Sequence, residues 1–457
     1  MGQSVDTYYF LGIGGIGMSA LARYFAAQGF RVLGYDRVCS TLTQTLEAEG
    51  ITVQYDDCLD YVETLDVATT VVVRTPAVPE DMAVYVWLRE HGFRIMKRAE
   101  VLGEVTRPKK ALCVAGTHGK TTTSTMLAHI LYGSHVGANA FLGGIANNYN
   151  SNLLLNTESD YVVVEADEFD RSFHYLTPYI SVITSMDPDH LDIYGTEKAY
   201  RESFAYYASL VQEALVVKSC LKLNVESLKA RVYTYAVGEP ADFYADNIRV
   251  EEGQIYFDFH TPESVIAELR LGVPVWVNIE NSVAAMAVAW LVGATEEELR
   301  QGVSSFAGVY RRFNIHVNTP QVAYIDDYAH HPTELQATIE SVRRLYPNRY
   351  VIGVFQPHLY TRTRDFAEDF AVVLSALDEV ALLPIYPARE EPVEGITSEW
   401  LMQKVQTKRA LVPPVILPKY LRERVKNCLS QGKNVAVITM GAGDIDRLVN
   451  DITNKIL

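Results

Sequence analysis

The sequence predicts an α/β protein built in three parts, with mostly parallel sheets. Three observations carry that expectation. An apolar strand runs through a glycine turn into a helix at three separate places, around Gly12, Gly116 and Gly441. At 457 residues the chain exceeds one ordinary domain. Polar clusters recur where short apolar runs end, and strand ends are where open α/β sheets bind ligands.

Composition narrows the function. A hydrophobic content of 48% with 21% charged residues is that of a globular protein. The net charge of −16 argues against a general binder of nucleic acid or anionic membrane, since both need a basic face. Five scattered cysteines (39, 58, 113, 220 and 428) without a CxxC pair are expected to be reduced thiols. The N-terminus shows no basic and apolar leader, and Asp6 stands where myristoylation wants Ser or Thr. The nearly apolar stretch 283–294 is too short to span a bilayer and reads as a core helix. No membrane insertion and a cytoplasmic location are therefore expected.

Residues 8–11 read as a strand, 12–17 as a tight glycine turn, 18–28 as a helix and 31–35 as the next strand, ending at Asp36. The G-x-G-x-x-G spacing followed by an acid matches a dinucleotide fingerprint. The physics supports a diphosphate at a helix N-terminus and leaves the nucleotide open. Strands are expected at 69–73 and 94–96. Arg98 follows the second, as a phosphate contact or a solvated cation. Residues 106–108 read as a domain boundary.

The second part opens with a strand at 111–115, the loop Gly116-Thr117-His118-Gly119-Lys120-Thr121-Thr122 and a helix through 126–132. Backbone N–H groups of such a turn point at phosphate oxygens. Lys120 would reach the β/γ-phosphates, and the Thr121 hydroxyl would ligate Mg²⁺. The usual eight-residue pattern has glycine where Val114 stands, so the loop is a shorter version. A strand at 161–166 ends in Glu165-Ala166-Asp167-Glu168. Glu165 is the first choice for completing a Mg²⁺ shell, whereas Glu168 and Asp170 read as a solvated loop. After a strand at 180–184, His190 is either a metal ligand or phosphate donor, or simply structural. A helix is expected at 197–211, a strand at 214–218 and a hairpin over 243–259 about Glu252-Gly253. A small-residue helix then runs through 292. Asn278 and Asn281 at its start either cap it or face a base or phosphate.

The third part begins near 310 with Tyr310-Arg311-Arg312-Phe313. It has strands at 322–325, 350–355 and 434–439 and a helix at 335–345. The polar runs 326–334 and 356–364 follow the first two strands.

Taken in order, 12–18, 116–121, 165–168, Asp189-His190, Asn278-x-x-Asn281, 311–313, 327–334 and Phe355-Gln-Pro-His358 resemble the Mur ligase family, in its alanine-adding branch, across the whole chain. The resemblance implies an N-terminal Rossmann-like domain (1–107) for a UDP-sugar. It implies a central P-loop ATPase-like domain (108–310) for ATP, and a C-terminal Rossmann-like domain (311–457) for an amino acid. Gly12, Gly14, Gly15 and Gly17 would hold the UDP diphosphate, with Asp36 and Arg98 on the same substrate. Residues 116–122, Asn278 and Asn281 would serve ATP, and Thr121, Glu165 and His190 would serve Mg²⁺. Lys120, His190, Arg312 and Asp327 would form the catalytic set, with His330 and His331 beside the substrates. The implied reaction joins L-alanine to the lactyl carboxylate of UDP-N-acetylmuramate through an acyl phosphate, in a monomer or weak dimer. A murein tripeptide is the alternative acceptor. A nicotinamide-dependent dehydrogenase and a non-enzymatic ATP-regulated binding protein are the other rivals. Two positions depart from the family. Val277 stands where a histidine often precedes the first asparagine. Phe204 stands where several members carry a carbamylated lysine, which the alanine-adding branch is not expected to use.

Overall fold

A computed structural model describes residues 4–226, 228–251, 254–388 and 390–456. Its strands form three sheets of five, ten and six strands. Contacts divide the chain into two compact units. One holds most of residues 1–307, and the other holds 308–457 with the short stretches 250–255 and 273–279.

The first sheet runs in the order Thr52–Gln54, Arg31–Tyr35, Thr7–Leu11, Thr70–Arg74, Arg94–Lys97, all parallel. Val71, Val72 and Val73 are buried on both faces, as a strand covered on two sides requires. The strand Thr7–Leu11 has Arg31–Tyr35 on one side and Thr70–Arg74 on the other. The 12–17 turn therefore leaves the sheet where the strand order reverses, the usual place for a ligand crevice.

In the second sheet Lys110–Ala115 lies between Tyr161–Ala166 and Pro178–Ile183, all parallel. The sheet ends in the antiparallel pairs Asn139–Ala146 with Ser151–Leu154, and Gln254–His260 with Val265–Arg270. The expected turn at Glu252-Gly253 lies outside the described residues, although its flanking strands are neighbours. The helix Trp276–Leu291 has its 283–289 stretch buried, in line with the core helix expected there. It starts two residues before Asn278, so neither asparagine caps it. Phe204 is buried against Phe173 and Tyr200, with ring centroids 5.2 and 5.1 Å away. The position is therefore aromatic core.

Asn152 ties these two sheets together. It is fully buried, and its Nδ2 donates to the Ile16 carbonyl (2.7 Å) and Ser19 Oγ (2.9 Å). Its Oδ1 accepts from Arg23 Nη1 at 2.5 Å, while Arg23 also makes a two-pronged contact with Glu49 at 2.7 and 2.9 Å. The 139–154 hairpin is thus fastened to the helix Ile16–Ala27 that the glycine turn feeds. Asn152→Ala removes three hydrogen bonds at once, although Ser19 Oγ still donates to the Ile16 carbonyl at 2.9 Å and Arg23 keeps Glu49. It is expected to cost about 2–3 kcal/mol, seen as a lower urea midpoint with an unchanged slope.

The third sheet runs Asn314–Asn318, Val322–Asp327, Val435–Met440, Tyr350–Phe355, Glu379–Leu382, Lys408–Leu411. Only the first pair is antiparallel. The strand at 322 extends through Asp327, so Asp326 and Asp327 belong to the sheet and not to the following loop. Among the described residues no helix is long and apolar enough to cross a membrane.

Candidate active site

The loop after Lys110–Ala115 delivers Lys120 as the first residue of the helix Lys120–Tyr132, with Gly119 left-handed (φ 81°) at the cap. Thr117 and His118 turn out to pin the loop. Thr117 Oγ1 donates to the Asp187 carbonyl and meets the Tyr200 hydroxyl, both at 2.7 Å. The His118 N–H donates to Ser185 Oγ (2.7 Å), and His118 Nε2 lies 3.6 Å from Asp187. Lys120 Nζ donates to the Gly116 carbonyl at 2.6 Å. Thr121 is buried and Thr122 half-buried on the same first turn. Asn281 joins this group, accepting from Thr123 Oγ1 at 3.2 Å. Asn278 instead reaches the Val273 carbonyl at 3.4 Å. Val277 is 40% exposed.

Three carboxylates gather behind the loop. Burial pulls the Lys120 ammonium down, but Glu168 first, then Asp167 and Glu165, outweigh it and keep the side chain charged. Glu165 is the penultimate residue of the strand Tyr161–Ala166 and lies against Gly143, where a methyl group would collide with its carboxylate. That close approach explains a glycine inside the strand Asn139–Ala146. Glu168 corrects the expectation of a solvated loop. Its side chain is 2% exposed, and its Oε2 sits 2.7 Å from Lys120 Nζ. Asp170, read the same way, pairs with Lys97 at 3.0 Å. His190, left-handed at φ 53°, places Nε2 3.9 Å from Glu168 and 3.7 Å from Asp189. No three His, Cys, Asp or Glu side chains among the described residues converge as a ready-made metal cage.

At the first glycine turn, Asp36 accepts the Gly14 N–H at 2.8 Å and the Val38 N–H at 3.0 Å. The acid thus braces the turn itself. Gly15 is the N-cap of the helix Ile16–Ala27 and no side chain caps it, so its first N–H groups face outward for an anion. Arg98 opens the helix Arg98–Thr106 and does not merely trail a strand. Its Nη1 lies 2.7 Å from where a Gly17 Cβ would be, and its Nη2 is 3.3 Å from Asp167. Gly12 is left-handed at φ 86°, beneath Thr75.

Just before the third sheet, Arg311 and Arg312 both lie over the Tyr328 ring, at 5.2 and 5.0 Å, but differ in their other contacts. Arg311 is buried and donates to the Gly441 and Gly443 carbonyls. Arg312 acts on Asp327. His331 caps the helix Pro332–Leu345, accepting from the Thr333 N–H at 3.4 Å. Burial, then Arg362 and Arg312, push His330 down to about 4 against the pull of Glu334. Arg362 was not assigned from sequence, and nothing but its place in the 356–364 polar run could have signalled it.

Asp327 accepts from the Ala329 N–H at 2.8 Å and Thr338 Oγ1 at 3.2 Å. Burial nonetheless pushes its carboxyl up to about 6, with Arg312 pulling the other way. A folded-state value above the unfolded 3.8 means the native protein binds the proton more tightly. Stability from this group therefore falls as pH rises from about 4 to about 6, and the cost is fully present at neutral pH. Asp327→Asn is expected to raise stability at pH 7.5 by about 1–3 kcal/mol, with the gain vanishing near pH 4. Denaturant titrations at the two pH values check it.

A phosphate loop at a strand end, a carboxylate-lined lysine and a second glycine turn at a topological switch point define a nucleotide-using α/β enzyme. The comparisons narrow that class. Three family models match in order. Residues 7–110 match "Mur ligase family, catalytic domain", 114–289 match "Mur ligase middle domain", and 311–443 match "Mur ligase, glutamate ligase domain". The UDP-N-acetylmuramate–L-alanine ligase of Parabacteroides distasonis is 54% identical over 455 residues, covering 98% of this chain and 97% of that protein. The ligase of the same name from Flavobacterium psychrophilum is 45% identical, covering 99% of each. The crystal structure of the UDP-N-acetylmuramate–alanine ligase of Thermotoga maritima superposes with a TM-score of 0.82 at 26% identity, covering 98% of each chain. A murein peptide ligase from Psychrobacter arcticus shares the fold at TM-score 0.73 and 20% identity, covering 99% of this chain and 98% of that one. The chain belongs to the Mur ligase family. It is an ATP-dependent ligase, as its fold and relatives show.

Proposed function

We propose that this enzyme joins L-alanine to the lactyl carboxylate of UDP-N-acetylmuramate, with ATP cleaved to ADP and phosphate, in the cytoplasmic synthesis of peptidoglycan precursors. The observation that carries the reading is likeness along the full length, 54% identity over 98% of the chain, to a ligase of that name. The domain limits 1–107, 108–310 and 311–457 accompany it.

The chemistry follows from what a carboxylate lacks. It is a poor electrophile, so its oxygen first attacks the γ-phosphorus, giving an acyl phosphate and ADP. The alanine amine, having given up the proton of its ammonium form, then attacks the acyl carbon; phosphate leaves, and the proton still to be lost from nitrogen passes to that phosphate or to water. The protein supplies position and charge, not a covalent nucleophile. Lys120 offsets charge on the phosphate oxygens, and N–H groups of 116–122 hold them. Asn281, bonded to this loop, fits a place beside the nucleotide, with Asn278 on the same helix. The Ile16–Ala27 N-terminus, with Arg98 across Gly17, supports a diphosphate at Gly12, Gly14, Gly15 and Gly17, braced by Asp36.

Mg²⁺ fits the donor set. Thr121 and Glu165 offer hard oxygens, His190 can add a nitrogen, and such an ion takes its remaining ligands from phosphates and water. When bound it would neutralise charge on the phosphate oxygens. Arg312 and Asp327, with His330 and His331 near them in sequence, would serve the acyl and amine side. His330, held neutral, cannot repel an incoming ammonium.

Phosphate release is the test. It should require ATP, the UDP-sugar and L-alanine together, and each is omitted in turn. Murein tripeptide replaces L-alanine in a parallel arm. Faster release with the tripeptide would overturn the choice of acceptor.

A further inference from the structure

The pair Lys120–Glu168 has an unusual setting. Lys120 is the cation that the phosphate loop exists to present, yet its ammonium is already 2.7 Å from a nearly inaccessible carboxylate. It also donates to the Gly116 carbonyl at 2.6 Å. An ammonium in that posture spends its hydrogen bonds on the protein.

Glu168 cannot follow the lysine elsewhere, because its turn is fixed from several sides. The Tyr194 hydroxyl donates to the Glu168 carbonyl at 2.6 Å, and the Arg171 N–H donates to the same oxygen at 3.0 Å. The Phe169 N–H donates to Asp167 Oδ1 and the Phe173 N–H to the Asp167 carbonyl, at 3.1 and 2.8 Å. Lys97 holds Asp170 at 3.0 Å and Arg98 holds Asp167 at 3.3 Å. Arg171 stacks on the Tyr194 ring at 4.8 Å. Asp170 and Arg171 are consecutive left-handed residues, φ 51° and 54°. Two such residues are costly and persist only where the surroundings over-determine them, which is characteristic of functional turns.

We infer that Glu168 is a positioning residue that docks Lys120 in the nucleotide-free enzyme, so that phosphate binding must break this ion pair. The inference rests on the reading of Lys120 as the phosphate contact. Charge arithmetic sets its consequence. In the empty site Glu168 compensates a buried ammonium. With a polyphosphate in place the ammonium turns to the phosphate, and Glu168 becomes a buried negative charge beside other negative charges. The carboxylate therefore stabilises the empty state and opposes the filled one.

The test is calorimetric binding of ADP in EDTA, so that no metal contributes, to wild type, Glu168→Gln, Lys120→Met and the double variant. Glu168→Gln is expected to bind ADP about tenfold more tightly, a difference of about 1.4 kcal/mol, and to melt at a lower temperature when empty. A residue that merely shapes the loop would weaken binding when changed. In the Lys120→Met background, Glu168→Gln should no longer lower the melting temperature, because the pair is already gone. Unchanged or weaker ADP binding by folded Glu168→Gln, with Lys120→Met still impaired, overturns the docking role and leaves the phosphate loop intact. Wild-type ADP affinity in Lys120→Met overturns both. If the glutamine variant does not fold, Glu168→Asp should shift affinity in the same direction by less, and an unchanged affinity there overturns the inference.

Discussion

Lys120→Ala is expected to lower phosphate release about a thousandfold while leaving UDP-sugar binding intact. Charge accumulates on the γ-phosphoryl oxygens during transfer, and a preorganised cation in a poorly hydrated site stabilises that charge far better than water can. Removing one such donor costs about 10²–10³-fold, and Lys120 is a full charge among three carboxylates, so the upper end applies. The same change leaves Glu168 buried without its ammonium, so the variant should also melt lower. Circular dichroism at the assay temperature separates lost chemistry from lost fold. UDP-sugar affinity by calorimetry should match wild type, because the diphosphate site proposed above, at the first glycine turn, is built from Arg98 and the Ile16–Ala27 helix and not from Lys120. Turnover within tenfold of wild type would remove Lys120 from the reaction.

The second large effect concerns stability. Glu379 opens the strand Glu379–Leu382 with its side chain 1% exposed. Both its oxygens accept from Arg424 at 2.7 Å, and Lys408 and the Tyr420 hydroxyl approach at 3.0 and 2.9 Å. Burial pushes the carboxyl up, but the bonds from Arg424, Lys408 and Tyr420 prevail and hold it below the ordinary range. Glu379→Ala leaves the Arg424 guanidinium, itself only 19% exposed, without its carboxylate. The expected cost is about 3 kcal/mol. Lys408, 54% exposed, adds little of this. For a unit of roughly 150 residues this is a fall of about 6–12 °C in melting temperature. Because the folded value is depressed, this stabilisation is present above about pH 4.5 and fades as pH drops through the folded value. A loss under about 0.5 kcal/mol, no more than an ordinary surface change, would show that the cluster holds nothing.

Elements whose chemistry is local were legible in the sequence. The strands 31–35, 161–166, 214–218 and 350–355 match Arg31–Tyr35, Tyr161–Ala166, Ala214–Lys218 and Tyr350–Phe355 residue for residue. Each is an apolar run bounded by polar or turn residues. The helices Thr41–Ala48, Ala83–Glu90 and Arg98–Thr106 were passed over. They are short, eight or nine residues each, and Arg98–Thr106 is weakly periodic, although Ser40 capping the Thr43 N–H was a readable start signal. The candidate site divides the same way. A phosphate loop announces itself, since its glycines, lysine and threonine are adjacent. Glu168 did not, because an acidic turn reads as solvated until a lysine 48 residues earlier is seen against it. Asn152 and Glu379 were silent for the same reason, their partners being distant in sequence.

In register, Glu379 sits beside Ile352 and Leu382 beside Phe355, while Asp327 is level with Met440 and so with Phe355. The charged anchor therefore lies three residues, about 10 Å, below the rim where the candidate acceptor groups stand. The sheet is thus clamped at its foot by a charge cluster and held at its rim by separate bonds, such as Ala329 N–H to Asp327 and Gln356 to Asp444. Neither 328–334 nor 356–364 touches Glu379, so a substitution in either run leaves the Arg424, Lys408 and Tyr420 contacts of the clamp in place.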